Sequence, residues 1–141
     1  PETISRMTVD DLRGIGISRG KSQYILNFNE AICSKVIVLD DMKNLGDADV
    51  AEKLTCVKGI GSWTAKMYLL FVLERENILP YEDGAFLQAY RWLYQTQKAK
   101  PEDIMRKCRK WSPYSSIASR YLYRALDRGY TKKPFAQYSV L

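Results

Sequence analysis

The chain has 141 residues and a formal net charge of +6, with 22 Lys and Arg against 16 Asp and Glu. A chain of this length is expected to form one domain that buries about two-thirds of its unfolded surface, and the positive charge favours a polyanionic partner. It contains no histidine, which excludes the commonest general base, and its three cysteines are too widely spaced for a zinc site or a four-cysteine iron–sulfur cluster. No run of about 18 apolar residues occurs, so we expect no membrane contact.

Helical periodicity dominates the sequence and strand-type alternation is almost absent, which predicts an all-α fold and a compact helical domain. Ser18 is a natural N-cap for a helix that runs to about Cys33. The expected apolar face of this helix is Tyr24, Ile25, Phe28, Ala31 and Ile32. Residues 35–39 are too short and too solitary to form a sheet, so we predict a loop there. Asp47 begins a short helix that runs through Leu54.

The second half of the chain has the pattern of four further helices, which begin at capping residues or prolines. Their predicted ranges are 62–76, 83–95, a short helix from Pro101, and 113–129. We interpret residues 131–141 as a C-terminal tail, so that the domain occupies residues 1–130. The three cysteines are expected to be reduced and buried.

A Gly-Ile-Gly sequence precedes a predicted helix twice, at residues 14–16 and 59–61. One interpretation is that both are ordinary glycine turns, and the other is that they share a function. The second copy favours the functional interpretation, because Gly59 and Gly61 permit a tight turn that presents backbone N–H groups and a helix N-terminus to a phosphate. The candidate DNA-binding residues in this hairpin, residues 54–73, are Lys58, Gly59, Ile60, Gly61, Ser62 and Thr64.

Three stretches, in this order, carry a family resemblance: LTCVKGIGSWTAKMYLLFVL (54–73), LPYEDGAFLQAYRWLY (79–94) and RKWSPYSSIASRYLYRAL (109–126). They resemble the helix-hairpin-helix base-excision DNA glycosylases (HhH-GPD), specifically the 3-methyladenine DNA glycosylase II branch. The resemblance implies a domain that grips double-stranded DNA, flips out a damaged base and hydrolyses its N-glycosidic bond, in the bacterial cytoplasm or the nucleus. It implies no cofactor, although the hairpin turn is compatible with a bound cation.

The catalytic carboxylate of the family follows the hairpin and a proline, and this position matches Asp83. An aspartate ahead of a helix is also a common N-cap, and the two roles are compatible. The family role implies that Asp83 stabilises a cationic sugar in the transition state and orients the attacking water. Glu82 is one position away and is expected to be solvated.

Two aromatic residues match positions of the family's substrate pocket. Trp63 stands where bifunctional branches carry a Schiff-base lysine, which implies a monofunctional hydrolase without lyase activity at abasic sites. It is expected either to line the pocket or to pack beneath it. Tyr123 matches the base-stacking aromatic, and such a ring attracts a cationic, alkylated purine by about 0.5 to 2 kcal/mol. Lys66 is expected to be a solvated helix lysine or a phosphate contact.

The resemblance implies that the chain begins after the family's N-terminal helices, which carry a glutamine-rich segment. We therefore expect a partial domain that associates with a missing N-terminal segment or with a second chain, because the missing helices would leave apolar surface exposed. The alternative function is a non-catalytic helix-hairpin-helix DNA-binding module, or an inactive glycosylase fragment. Such a module would not need Asp83.

Overall fold

The computed structural model describes residues 1–135 and is helical, without a β-strand in that range, so the predicted all-α class is confirmed. The chain packs as two compact units, unit 1 over residues 1–69 and unit 2 from residue 70 onward. Neither unit contains a sheet among its described residues, and each has its own buried side chains.

Unit 1 consists of four helices, a 3₁₀ turn and most of a fifth helix. Their bounds are α1 Glu2–Ser5, α2 Val9–Gly14, α3 Arg19–Cys33, the 3₁₀ turn Asp41–Asn44, α4 Asp47–Thr55 and α5 Ser62–Phe71. The sequence pattern did not predict α1 and α2, although α2 begins with a capping box. Thr8 N–H donates to Asp11 Oδ2 at 2.7 Å, and Asp11 N–H donates to Thr8 Oγ1 at 3.2 Å.

Helix α3 has its predicted bounds and its predicted cap, Ser18, and its expected apolar face is half-buried except at Tyr24. Its buried side chains are the polar Ser22 and Asn29, whereas Tyr24 on the expected apolar face is 44% exposed. Both polar groups are satisfied, because Ser22 Oγ donates to Ser18 O at 3.1 Å and Asn29 Nδ2 donates to Ser5 Oγ at 2.8 Å. Small, hydrogen-bonded side chains can therefore occupy the packed face of α3.

The core of unit 1 draws on the loop as well as on the helices. Residues 35–39 form a loop, as predicted, and Ile37 in this loop is 1% exposed. Lys35 adopts a φ of +59°, which turns the chain back after α3. The other buried apolar side chains of the unit are Leu12, Met42, Val50, Leu54, Val57, Ala65 and Leu69.

Unit 2 contains three helices and two 3₁₀ turns in its described part. Their bounds are α6 Gly84–Tyr94, α7 Pro101–Cys108, the turn Arg109–Trp111, α8 Ser115–Asp127 and the turn Tyr130–Lys132. The buried cluster of the unit comprises Phe86, Ala89, Tyr90, Ile104, Cys108 and Leu122, which come from α6, α7 and α8. Helix α6 packs against α8, so these two helices form the frame of the unit.

Two predicted helix ends need correction. Helix α5 ends at Phe71 and not near Glu76, because Glu74 has a φ of +54° and the Leu70 carbonyl accepts a hydrogen bond from Arg120 Nη2 at 2.5 Å. Helix α8 begins at Ser115 and not at residue 113, because Tyr114 has a non-helical backbone (φ −112°, ψ 32°).

The expectation of three buried thiols is wrong for two of them, because Cys33 and Cys56 are exposed and only Cys108 is buried. Of the predicted tail, residues 136–141 lie outside the described part of the chain. Residues 131–135 contact α6, where Trp92 Nε1 donates to Lys133 O at 2.7 Å and the Phe135 ring lies edge-on to the Trp92 ring at 5.0 Å.

Candidate functional site

The predicted hairpin in unit 1 is present as two helices joined by a tight turn. Leu54 and Val57 are buried and anchor the turn, and Ile60 N–H donates to Val57 O at 3.0 Å. Helix α5 then begins, with Ala65 N–H donating to Gly61 O at 3.0 Å. The candidate DNA-binding residues are exposed except for the half-buried Ile60; the exposed ones are Lys58, Gly59, Gly61, Ser62 and Thr64.

The two glycines of the hairpin differ in whether another residue could replace them. Gly59 has a φ of +107°, and a Cβ there would lie 2.6 Å from Tyr24 Cβ and nearer still to the tyrosine ring. Gly61 has an ordinary φ, and a Cβ there would meet no described atom within 4 Å. The fold therefore requires glycine at position 59, whereas the open space at position 61 is available to a ligand.

A side chain that the sequence did not indicate supports the turn. Asn27 Nδ2 on α3 donates to the backbone carbonyl of Lys58 at 2.9 Å, and Gln23 Nε2 donates to Asn27 Oδ1 at 3.1 Å. The contact from Asn27 to Lys58 holds the hairpin against α3, and the contact from Gln23, within α3, orients the Asn27 amide. Asn27 and Lys58 are 31 positions apart, so no local pattern could reveal the contact.

An apolar groove of about 340 Å³ lies between α3 and the hairpin in unit 1. Its lining includes Tyr24, Phe28, Ile60, Thr64 and Tyr68. Burial raises the pKa of Tyr68, and the Asp40 carboxylate raises it further. The expected association with a missing segment or a second chain stays a prediction.

The other two predicted residues of α5 are partly exposed. Trp63 is 48% exposed, and Lys66 one turn further on is half-buried. Trp63 follows Ser62 at the start of the helix, so it is held close to the turn. Its role in a pocket stays a prediction.

Asp83 in unit 2 is 9% exposed and caps α6. Its Oδ1 accepts a hydrogen bond from Phe86 N–H at 2.8 Å, which confirms the predicted N-cap. The helix N-terminus therefore orients this carboxylate and stabilises its negative charge. Glu82 is exposed.

Tyr123 on α8 lies next to Asp83. The tyrosine hydroxyl is buried and makes no hydrogen bond of good geometry among residues 1–135, although the Asp83 side chain lies within reach of it. Burial raises the pKa of Tyr123, and the Asp83 carboxylate raises it further, so the hydroxyl remains protonated. The Phe71 ring packs beside the Tyr123 ring, with centroids 5.8 Å apart. The structure thus brings together two of the predicted site residues, which are 40 positions apart in the sequence.

Serine hydroxyls and backbone groups join α8 to the segment that leads to Asp83. Ser116 N–H donates to Glu76 O at 2.9 Å, and Ile78 N–H donates to Ser116 Oγ at 2.8 Å. Ser115 Oγ donates to Asn77 Oδ1 at 2.7 Å. We call this set of contacts, between residues 115–116 and 76–78, the serine clamp. Sequence analysis missed it, and the only signal was the cluster of serines at the start of a helix.

In the part of the chain that the structure covers, no group of three or more His, Cys, Asp or Glu side chains is arranged to hold a metal ion. Nor does any helix there have the length and apolar character needed to cross a membrane.

The sequence profile described as "HhH-GPD superfamily base excision DNA repair protein" matches residues 1–113. The Bacillus subtilis protein YfjP, which bears a DNA-3-methyladenine glycosylase name, is 33% identical over 128 residues, which are 90% of this chain and 45% of YfjP. DNA-3-methyladenine glycosylase 1 of Schizosaccharomyces pombe is 29% identical over 136 residues, 95% of this chain and 60% of that protein.

A solved structure has the same fold. The 3-methyladenine DNA glycosylase of S. pombe, in complex with abasic DNA, superposes with a TM-score of 0.82 at 29% identity, over 89% of this chain and 62% of that one. The chain spans about half the length of the curated relatives that it matches.

Proposed function

The chain belongs to the HhH-GPD superfamily of base excision DNA repair proteins, and we propose that it is a DNA glycosylase that releases an alkylated purine from duplex DNA. The observation that carries this proposal is the nearly buried Asp83 carboxylate, which a helix N-terminus orients next to the aromatic Tyr123. Relatives with 3-methyladenine glycosylase names support the substrate class.

DNA binding is assigned to the hairpin of unit 1. Lys58 offers a positive charge, and the start of α5 offers backbone N–H groups at Gly61 and Ser62 to one phosphate. Phosphate contacts of this kind position the protein and do not read the sequence. The affinity for DNA should therefore fall steeply as the salt concentration rises.

The chemical step is assigned to Asp83. As the bond between the purine and the sugar C1′ breaks, its electron pair stays on the purine, and positive charge develops on the sugar opposite the carboxylate. Water then forms the new bond to C1′, and Asp83 accepts its proton. The products are a free base and an abasic site.

The finer assignment is to the 3-methyladenine DNA glycosylase II branch, without lyase activity. Trp63 carries no amine, so it cannot form a Schiff base with the sugar at the position where a catalytic lysine would stand. Tyr123 would stack on the damaged base, and its ring favours purines that alkylation has made cationic. A cation at the hairpin turn stays a prediction, and a DNA substrate implies the bacterial cytoplasm or the nucleus as location.

The test is release of free base from alkylated duplex DNA by the purified chain, with Asp83→Asn beside it. Asparagine is as good an N-cap as aspartate, so this variant keeps the fold and removes the charge. Release should fall by about 10² to 10⁴-fold while affinity for abasic DNA is kept. Glu82→Gln is the matched control, since it removes an exposed carboxylate from the adjacent position and should release base normally.

Wild-type reactions should leave strands intact until the abasic sites are heated in alkali. Strand cleavage without alkali would contradict the absence of lyase activity. Equal losses of release and of DNA affinity in Asp83→Asn would reduce Asp83 to a cap.

The second candidate function is a DNA-binding module without catalysis, which would need only the exposed hairpin residues and the positive charge of the chain. Salt-sensitive DNA binding by the wild-type chain without any base release would establish it.

A further inference from the structure

The hydroxyl of Tyr123 is unusual in the interior of unit 2. It is buried without a well-aligned hydrogen bond in the described chain, although nearly all buried polar groups in proteins have one. A phenylalanine would fill the same space and would avoid the unsatisfied donor. Packing therefore does not account for the hydroxyl, which suggests that it has a partner in the working protein.

The Asp83 carboxylate is the neighbouring acceptor that suits the Tyr123 hydroxyl. Asp83 is close enough to raise the pKa of Tyr123, and its Oδ1 is held by Phe86 N–H at 2.8 Å. The hydroxyl is protonated at neutral pH, as tyrosine ordinarily is, and its burial excludes bulk water as the partner of this donor. A carboxylate and a protonated hydroxyl in one nearly dry site form a strong hydrogen bond when they align.

Contacts in the surroundings hold the Tyr123 hydroxyl and the Asp83 carboxylate near each other. Helix α8 carries Tyr123, and the serine clamp joins the same helix to residues 76–78, which lead into Asp83. Arg120 on α8 also donates to Leu70 O at 2.5 Å, next to Phe71, which packs against the Tyr123 ring. These contacts tie α8 to both segments of the chain that flank the Tyr123 side chain, so the hydroxyl and the carboxylate stay near each other.

We propose that Tyr123 is a positioning residue for Asp83, whose hydroxyl donates a hydrogen bond to the carboxylate once damaged DNA is bound. This inference rests on the proposed function. Hydrogen bonds in active sites are often poorly aligned without substrate and tighten in the complex. The bond holds the carboxylate in its charged form, facing the sugar.

The proposed bond is compatible with stacking of the Tyr123 ring on a base. A base contacts the face of the ring, whereas the hydroxyl projects from its edge. Tyr123 keeps its proton throughout the reaction, because the proton of the attacking water goes to Asp83. The phenol therefore aligns the carboxylate and is neither acid nor base.

The test compares Tyr123→Phe with Tyr121→Phe in single-turnover release of base from alkylated duplex DNA. Tyr121 lies two positions away on the same helix and is 69% exposed, so it is a matched control for loss of one hydroxyl. Removal of a hydrogen bond to a charged group should slow release by roughly 10- to 100-fold in Tyr123→Phe. Affinity for abasic DNA should stay within about twofold of wild type, because the phenyl ring is retained.

A pH profile separates positioning from packing. Without the donor the charged carboxylate is less stable, so the acidic limb of the rate profile should move to higher pH in Tyr123→Phe and stay in place in Tyr121→Phe. A purely structural effect would lower the rate at every pH and leave the limb where it is, which would overturn the proposal.

The remaining outcomes also decide the question. Equal release by Tyr123→Phe and wild type, with Asp83→Asn inactive, would overturn this inference and leave the proposed function intact. Parallel loss of release and of abasic-DNA affinity would assign the hydroxyl to DNA contact and overturn the positioning role. Absence of release by the wild-type chain would refute the proposed function, and this inference with it.

Discussion

Replacement of Gly59 with alanine is expected to destabilise unit 1, because two features close this position to a side chain. The φ of +107° is one that residues with a Cβ rarely adopt, and the new Cβ would lie 2.6 Å from Tyr24 Cβ. Gly61, two positions later, has neither feature. The pair therefore allows the same substitution to be compared at a closed and an open site in one turn.

The size of the effect follows from these two features. A residue held in an unfavourable backbone region costs about 1–3 kcal/mol, and overpacking against Tyr24 costs about 1–3 kcal/mol more. The reduced freedom of the unfolded chain returns about 0.4–1 kcal/mol. We expect a net loss of about 3 kcal/mol, which lowers the Tm by roughly 10 °C in a chain of this length.

Thermal unfolding followed by circular dichroism measures this directly. Gly59→Ala should unfold well below wild type, and Gly61→Ala should unfold close to it while binding abasic DNA more weakly. In a Tyr24→Ala background the ring atoms no longer collide, so Gly59→Ala should cost less there, although the contact with the Cβ of residue 24 and the backbone strain remain. A Tm for Gly59→Ala within about 2 °C of wild type would refute the reasoning, because a loss of about 3 kcal/mol would lower the Tm by more than that.

Three further predictions concern unit 2. Arg120→Ala should lower the free energy of unfolding in urea by about 1–2 kcal/mol, because the Leu70 carbonyl loses its donor. Arg124→Ala on the same helix should have little effect, and similar losses in both variants would refute the role of Arg120 at the end of α5. Burial raises the pKa of Cys108 to about 11, so a thiol reagent at pH 8 should modify two cysteines at once and Cys108 only in denaturant. Rapid modification of all three would contradict its burial. The pKa of Tyr123 is raised from 10.0 in the folded chain. Just above pH 10 the Tyr123 hydroxyl therefore ionises mainly in the unfolded chain, and the free energy of unfolding should fall. Tyr123→Phe should show a smaller alkaline loss in urea titrations between about pH 10 and 11.5, and an unchanged slope would disprove the shift.

Local signals in the sequence predicted the starts of helices well. Ser18, Asp83 and Pro101 each act within one turn of their own position, so their spacing predicts α3, α6 and α7. The end of α5 could not be predicted, because Arg120, 50 positions away, holds the Leu70 carbonyl. The periodic pattern continued past that point, but the tertiary contact ended the helix.

The candidate site also combines features that local motifs predicted with features that depend on tertiary packing. The hairpin glycines and the N-cap role of Asp83 were visible as motifs. The proximity of Tyr123 to Asp83 depends on how α8 packs against α6, which no single-sequence pattern specifies. The contact of Asn27 with Lys58 was equally hidden, because an asparagine within a helix gives no sign of its partner.

The serine clamp limits how the length of the chain can vary during evolution. It fixes Ile78 on α8, and Asp83 follows only five residues later. Insertion or deletion of one residue in between would displace the carboxylate by about 3 Å, the span of one extended residue, and would separate it from Tyr123. The mostly exposed residues 96–100 between α6 and α7 carry no such constraint. Working relatives should therefore differ in loop length there and keep a constant spacing between the positions of Ile78 and Asp83.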